Sequence, residues 1–161
     1  MFSFTAVALL SACMGGGDGA PGGIGESNPG SVALVSVDPS FEAGLNGVRA
    51  NVGANPVAYD VRLHRAAQLH ANDMLENNYF SHTGLNGSSV SDRVRAQDYN
   101  WRALGENIAK GQQSEAAVLQ AWQNSEGHRR NNENPSYEDF GLAKAGSGGN
   151  TYWVLVLAAE R

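Results

Sequence analysis

Two histidines and a glutamate are the side chains best suited to chemistry. His82 sits in Phe80-Ser81-His82-Thr83-Gly84, Glu106 in Gly105-Glu106-Asn107-Ile108-Ala109, and His128 in Ser125-Glu126-Gly127-His128-Arg129, shortly after Trp122. Imidazoles and carboxylates are ligands of divalent cations and also the usual general acid-base partners. Gathered into one cleft with a coordination position left open, His82, His128 and Glu106 could hold zinc or a similar ion. The same three groups could instead form a polar network that ties the His82 loop to the Glu106 segment. If metal binds, affinity should fall as the histidines protonate below about pH 6.5.

Ser125 and Glu126 are the nearest candidates for a fourth member. Residues three apart on a helix share a face, so Ser125 and His128 can serve one site. Successive helical residues diverge by about 100°, and Glu126 reaches the His128 side only if the chain bends at Gly127. Glu126 is therefore expected as a solvated helix-end carboxylate and a weak ligand at best. Ser125 with His128, and Glu106 orienting the imidazole, would also be the parts of a serine hydrolase. No Gly-x-Ser-x-Gly elbow exposes the serine, so a metal-dependent or serine hydrolase is the alternative reading and no residue is assigned as catalytic. His70, on the apolar side of a helical stripe, reads as a core histidine with its polar nitrogen satisfied, and His64 as exposed. Trp122, Tyr152 and Trp153 read as core or cleft wall, Asp92-Arg93 as a helix-start carboxylate plus an ion pair, and Asn107 and Asn131 as hydrogen-bonding groups around the cleft.

The elements that must position these groups follow from periodicity. Phe41, Leu45, Val48 and Val52 recur at helical spacing, and Gly53 and Pro56 end that helix. Asp60 is a fitting N-cap for a longer helix whose stripe is Leu63, Ala66, Ala67, Ala71, Met74 and Leu75. A short helix starting at Ser89 or Ser91 turns Val90, Val94 and Tyr99 inward. Ala103 to Ala109 is left undecided by periodicity alone. Ser114 caps a fourth helix with Ala117, Val118, Ala121 and Trp122 on one face, interrupted at Gly127. Two strand-like runs, 140–145 and 152–159, flank a glycine-rich turn and predict a hairpin. Helices first and antiparallel strands last give an α+β fold.

The chain of 161 residues, 42% hydrophobic and 17% charged, fits one globular domain plus a tail. A formal net charge of −5 with scattered arginines excludes the basic stripe that nucleic acid needs. The single cysteine, Cys13, excludes an intramolecular disulfide. It follows a short apolar run, and Leu10-Ser11-Ala12-Cys13 resembles the lipobox of bacterial lipoproteins, although no Lys or Arg precedes the run. That run is shorter than the roughly 20 residues needed to span a bilayer. Residues 1–12 are thus expected to be a lipoprotein-type signal segment and Cys13 the acylated residue; the alternative is an irregular N-terminus with an incidental cysteine. Several acyl chains, at about 0.8 kcal/mol per buried CH2, would anchor the protein durably. Residues 13–38, rich in Gly, Pro, Ser and Asn, then form a flexible tether, and residues 39–161 the folded domain.

The three segments, together with Leu45-Asn46 and Arg49, Pro56-Val57, Asp60, Ala66-Ala67, His70-Ala71, Asp73-Met74, Asp92-Arg93, Asn134-Pro135 and Gly141, resemble the CAP superfamily in its bacterial, disulfide-free branch. This superfamily groups cysteine-rich secretory, antigen 5 and pathogenesis-related 1 proteins, and the resemblance spans Phe41 to Ala159. It implies a three-layer α-β-α sandwich and a cleft tetrad of two His and two Glu that binds zinc or another divalent ion in some members. His82, Glu106 and His128 fill three of its places. The second glutamate falls at Ser125, as is usual in bacterial members, with Glu126 beside it. Members bind sterols, other lipids or partner proteins, with no one activity shared by all. The expectation is an exported, extracytoplasmic, monomeric lipoprotein, held to a membrane through Cys13 and binding a lipid, glycan, protein or divalent metal in its cleft.

Overall fold

The computed structural model describes residues 39–161. The expected signal segment, the tether and Cys13 lie outside the described residues. The elements run α1 (Pro39–Asn51), β1 (Ala58–Tyr59), α2 (Val61–Glu76), α3 (Val90–Arg95), β2 (Trp101–Lys110), α4 (Glu115–Gln123), α5 (Glu126–Glu133), β3 (Asp139–Ala145) and β4 (Tyr152–Glu160), with a 3-10 turn at Gly148–Asn150 before β4. The sheet order is β1-β3-β4-β2. The β2, β4 and β3 strands are antiparallel, and the two-residue β1 adds a parallel edge beside β3. Ala103 to Ala109, undecided from sequence, belongs to the strand β2.

β4 explains why this is a three-layer sandwich. Its residues Tyr152 through Ala159 are all buried, the continuous apolar run expected of a strand covered on both faces. Tyr152, Val154, Val156 and Ala158 pack with the α2 stripe of Leu63, Ala66, Ala67, Ala71 and Met74, together with Val94 and Tyr99. Trp153, Leu155 and Leu157 pack on the other side against Phe41, Leu45, Val118, Trp122 and Phe140. One helical layer is therefore α2 with α3, and the other is α1, α4 and α5.

Local chemistry sets the helix boundaries. Asp60 caps α2 by accepting from the backbone N–H of Arg62 and Leu63. Ser89 and Asp92 form a reciprocal capping box that fixes the start of α3. Ser114 caps α4 through the Ala117 amide. Gly141 is the close-approach point between layers, because a Cβ there would lie 2.1 Å from the His64 backbone nitrogen. The backbone of α2 thus rests directly on β3.

Four expectations need correction. The helix break falls at Asn124 and Ser125, and Gly127 lies within α5, not between helices. Ala117 is exposed, since the buried face of α4 is narrowed to Val118 and Trp122. In α1 the buried positions are Phe41, Leu45 and Arg49, four apart, while Val52 is exposed. His64 is buried, not exposed, and its Nδ1–H donates to the Leu142 carbonyl at 2.6 Å, linking α2 to β3.

β2 is an edge strand, and its outward carbonyls are covered by side chains from the α4–α5 layer. Trp122 Nε1–H donates to the Ile108 carbonyl at 3.3 Å, and Asn131 Nδ2–H to the Glu106 carbonyl at 3.2 Å. These two edge carbonyls are thereby satisfied without a further strand.

Candidate functional site: a histidine pair across a sheet edge

Side chains alternate faces along β2, so Glu106 and Asn107 point to opposite layers. Glu106 faces the α2–α3 side and Asn107 faces α5. This alternation builds the site, because each residue holds one of the two histidines on its own side of the edge strand.

On the first side, His82 lies in the loop between α2 and α3. Its Nδ1 is 2.8 Å from Glu106 Oε1. The Glu106 carboxylate is 2% exposed, and its second oxygen, Oε2, accepts from Arg93 at 2.7 Å. Two backbone anchors steady the loop. His70 Nε2–H donates to the Ser81 carbonyl at 2.8 Å, and Arg93 donates to the His82 carbonyl at 3.1 Å. The bland expectation for His70 is thus met, with its role extended to the loop, although among the described residues its Nδ1 has no hydrogen-bond partner. Burial, then the nearby Arg93 charge, pushes the His70 proton affinity below the ordinary histidine value.

On the second side, His128 is the third residue of α5. Asn107 Nδ2–H donates to the His128 carbonyl at 3.0 Å and to Asn132 Oδ1 at 2.9 Å, and Asn131 donates to Asn107 Oδ1 at 2.8 Å. This asparagine cluster clamps α5 to β2 and so places His128. Burial lowers the pKa of His128, and the nearby His82 lowers it further.

The remaining sequence candidates separate from this pair. Ser125 is the N-cap position of α5, non-helical at φ −108°, and its hydroxyl makes no capping hydrogen bond. Glu126 is 75% exposed and pairs with Arg130 one turn on, the solvated helix-end carboxylate that its position implied. Trp122 is core, and Asn107 and Asn131 bond around the site as expected. Sequence reasoning gave Arg93 an ion pair but did not name its partner, Glu106.

The donor chemistry suits a metal in a particular way. Glu106 has both oxygens engaged, so it stands behind His82 as an orienting carboxylate, the arrangement metal-binding imidazoles usually have. In the neutral ring the carboxylate oxygen accepts from Nδ1–H, which leaves the lone pair on Nε2. Among the described residues, no three His, Cys, Asp or Glu side chains are grouped to hold a metal ion.

The α-β-α layering around this sheet is that of a CAP-type, or SCP, domain. The chain belongs to the cysteine-rich secretory protein family, whose model matches residues 43–157. It is similar to a solved extracellular protein containing an SCP domain from Bacillus anthracis, at 28% identity and a TM-score of 0.69, over 76% of this chain and 40% of that one. An outer surface protein of Borrelia burgdorferi has the same fold, at 21% identity and a TM-score of 0.70, over 76% of this chain and 92% of that one. In sequence the chain is 37% identical over 103 residues to the uncharacterised protein YkwD of Bacillus subtilis, covering 64% of this chain and 40% of that protein. It is also 35% identical over 97 residues to the uncharacterised membrane protein YlbC of the same organism, covering 60% of this chain and 28% of that one. The chain thus spans well under half the length of the curated relatives it matches.

Proposed function

We propose that this protein is an extracytoplasmic CAP-domain binding protein whose His82 and His128 take a divalent cation, zinc being the best suited, with Glu106 orienting His82 from behind. The observation that carries this reading is the His82 Nδ1–Glu106 bond at 2.8 Å, which turns Nε2 into the available ligand atom. With two protein ligands the ion would keep open positions for water or a small ligand such as a lipid or glycan group. When bound, the ion would supply Lewis acidity. The chain's own residues bind, orient and hold the Nδ1 proton in place.

The placement outside the cytoplasm rests on the sequence around Cys13 and on the extracellular description of the Bacillus anthracis neighbour. Among the described residues no helix is long and apolar enough to cross a membrane. In this reading a lipid on Cys13, set in Leu10-Ser11-Ala12-Cys13, attaches the domain, a monomer, to the membrane.

The test is titration calorimetry of the full, untagged chain with Zn²⁺, after chelator treatment, alongside His82→Ala and His128→Ala. Saturable heat in the wild type that disappears in both variants is expected. No heat in the wild type refutes the metal reading.

A further inference from the structure

Where the chain leaves α3 and β4, two arginines without a carboxylate partner border one cavity. Arg62, Arg93, Arg102 and Arg130 each answer a carboxylate. Arg95 and Arg161 make no ion pair among the described residues. Together with Asn100 and Trp101 they line a cavity of about 440 Å³. Arg95 lies over the Trp101 ring, its guanidinium carbon 5.1 Å from the ring centre. Arg161 donates from Nε to the Trp101 carbonyl at 3.1 Å, and its backbone N–H donates to the Asn100 carbonyl at 2.8 Å. Trp101 also brings a donor without an acceptor, since its indole N–H is buried with no hydrogen-bond partner among the described residues.

We infer that this cavity is an anion site that takes a phosphate group, with Arg95 and Arg161 as its binding residues. It shares no residue with the cleft of His82 and His128 and does not depend on metal there.

A guanidinium keeps its charge in proteins. Stacking on Trp101 occupies the face of Arg95 and leaves the N–H groups along its edge for a ligand. Arg161 spends Nε on a carbonyl, and its two Nη groups have no acceptor among the described residues. The Asn100 side chain is exposed and can donate as well. The buried indole N–H adds a partial positive charge to the wall, and an anion need not touch it to be drawn by it. Competing negative charge is tied up elsewhere. No acidic side chain among the described residues lines the cavity. The Glu160 carboxylate is held by Arg62 at 2.7 and 2.9 Å, and Asp92 Oδ2 is turned to the Ser89 amide and hydroxyl. The carbonyls that end α3 are occupied too: those of Asp92, Val94 and Arg95 accept from the amides of Ala96, Gln97 and Asp98. Donors arriving from α3 and from the end of β4 suit a tetrahedral oxyanion, with oxygens in several directions, better than a planar carboxylate. The cavity is larger than a phosphate ion, so it has room for the group that a phosphate ester carries. Free phosphate and a phospholipid headgroup share this chemistry.

The test is ¹H–¹⁵N NMR of the indole N–H groups of the full chain, in chelator, during titration with inorganic phosphate at an ionic strength held constant with chloride. The Trp101 signal is expected to shift saturably. Those of Trp122 and Trp153, bound to the Ile108 and Gln112 carbonyls, should stay in place. Arg95→Gln and Arg161→Gln should each weaken phosphate binding about 10- to 100-fold, as for loss of a charge-assisted hydrogen bond. Arg95→Lys should fall between Arg95→Gln and the wild type. A parallel arm compares co-sedimentation of the wild type and Arg95→Gln with vesicles of phosphatidylglycerol. Both chains carry Cys13, so a difference between them reports the arginine. Vesicle binding that falls in Arg95→Gln marks a headgroup as the source, and a phosphate shift without such a fall marks a soluble phosphate.

A Trp101 signal that follows chloride as it follows phosphate overturns the inference, since only screening would then be seen. So does phosphate binding of unchanged affinity in both glutamine variants. A wild type with no phosphate shift, and with vesicle binding equal to that of Arg95→Gln, overturns it as well. If Arg95→Gln does not fold, Arg161→Gln decides, because that side chain is exposed and holds only the Trp101 carbonyl among the described residues. Zn²⁺ titration is a separate readout: a wild type that binds phosphate but no Zn²⁺ leaves this site standing and refutes only the metal reading.

Discussion

Glu106 Oε1 accepts the Nδ1–H of His82 at 2.8 Å, while the rest of the carboxylate is held by Arg93. In the proposed metal reading this carboxylate would orient His82 and not itself bind the ion. Glu106→Gln keeps the shape but offers an amide that accepts more weakly and can present its NH2 instead. We predict a loss of about 10- to 100-fold in Zn²⁺ affinity with the binding stoichiometry unchanged. Calorimetry reads both quantities. Complete loss of the binding heat would instead place Glu106 among the direct ligands.

On the other side of the edge strand, Asn107 controls His128 without touching its ring. Its side chain is fully buried and bonds the His128 carbonyl, Asn132 and Asn131. Asn107→Ala frees α5 from β2 and orphans several buried groups, at about 1–3 kcal/mol each at most. Urea unfolding should register lower stability, and Zn²⁺ titration should register weaker binding in the protein that remains folded. Unchanged affinity would show that α5 is placed by other contacts.

Acid should destabilise the fold through His70. Burial first, and Arg93 second, hold its folded-state pKa below the ordinary value of about 6.5. The unfolded chain then takes up a proton that the folded one refuses, so stability is intact above about pH 6.5 and is lost as pH falls toward the depressed pKa. His128 contributes in the same direction. Melting temperature in chelator should decline between about pH 7 and pH 5, before most carboxylates titrate. The decline should be shallower in His70→Gln. Parallel curves for the two proteins would remove His70 as a cause.

The parts legible in sequence were those written in local pattern. The α2 stripe, the Asp60, Ser89 and Ser114 caps and the β3–β4 hairpin all follow from short-range periodicity and capping chemistry. The pairing of His82 with Glu106 followed from the family resemblance. Contacts between distant segments were less visible. β2 was ambiguous because its central residues are covered on both faces, which erases the alternation that marks a half-buried strand. His64 reads as polar surface until the Leu142 carbonyl is placed against its ring. Arg93 carries no local sign that its partner is Glu106. Arg49 did leave one, since it continues the four-residue spacing of Phe41 and Leu45 into the core.

Close approach of α2 to the sheet makes Gly141 sensitive to a single methyl group. A Cβ at this position would meet the backbone of Leu63 and His64 at 2.1–2.7 Å. Backbone cannot step aside as a side-chain tip can, so Gly141→Ala must push α2 away from β3. A cost of about 1–3 kcal/mol is expected, as for overpacking elsewhere, and the midpoint of urea unfolding should fall accordingly. A variant as stable as the wild type would mean that the two layers can separate locally at little cost.

Arg49 is the severest test of the fold itself, because its guanidinium is completely buried and, among the described residues, answered by carbonyl groups alone. It donates to the carbonyls of Asn55 at 2.7 Å, Asn132 at 2.8 Å, Asn134 at 3.0 Å and Tyr137 at 3.1 Å. Burial depresses its pKa from the ordinary arginine value, and a guanidinium keeps its charge in proteins. One side chain thus closes the turn after α1 and the segment leading from α5 into β3. Arg49→Met fills much of the space but leaves those acceptors unpaired, and each buried orphan costs about 1–3 kcal/mol. A loss of at least about 3 kcal/mol is expected, with Arg49→Lys intermediate because an ammonium cannot span four carbonyls. Urea denaturation of the three proteins orders them. A methionine variant equal to the wild type would show that desolvating the guanidinium cancels what its hydrogen bonds contribute.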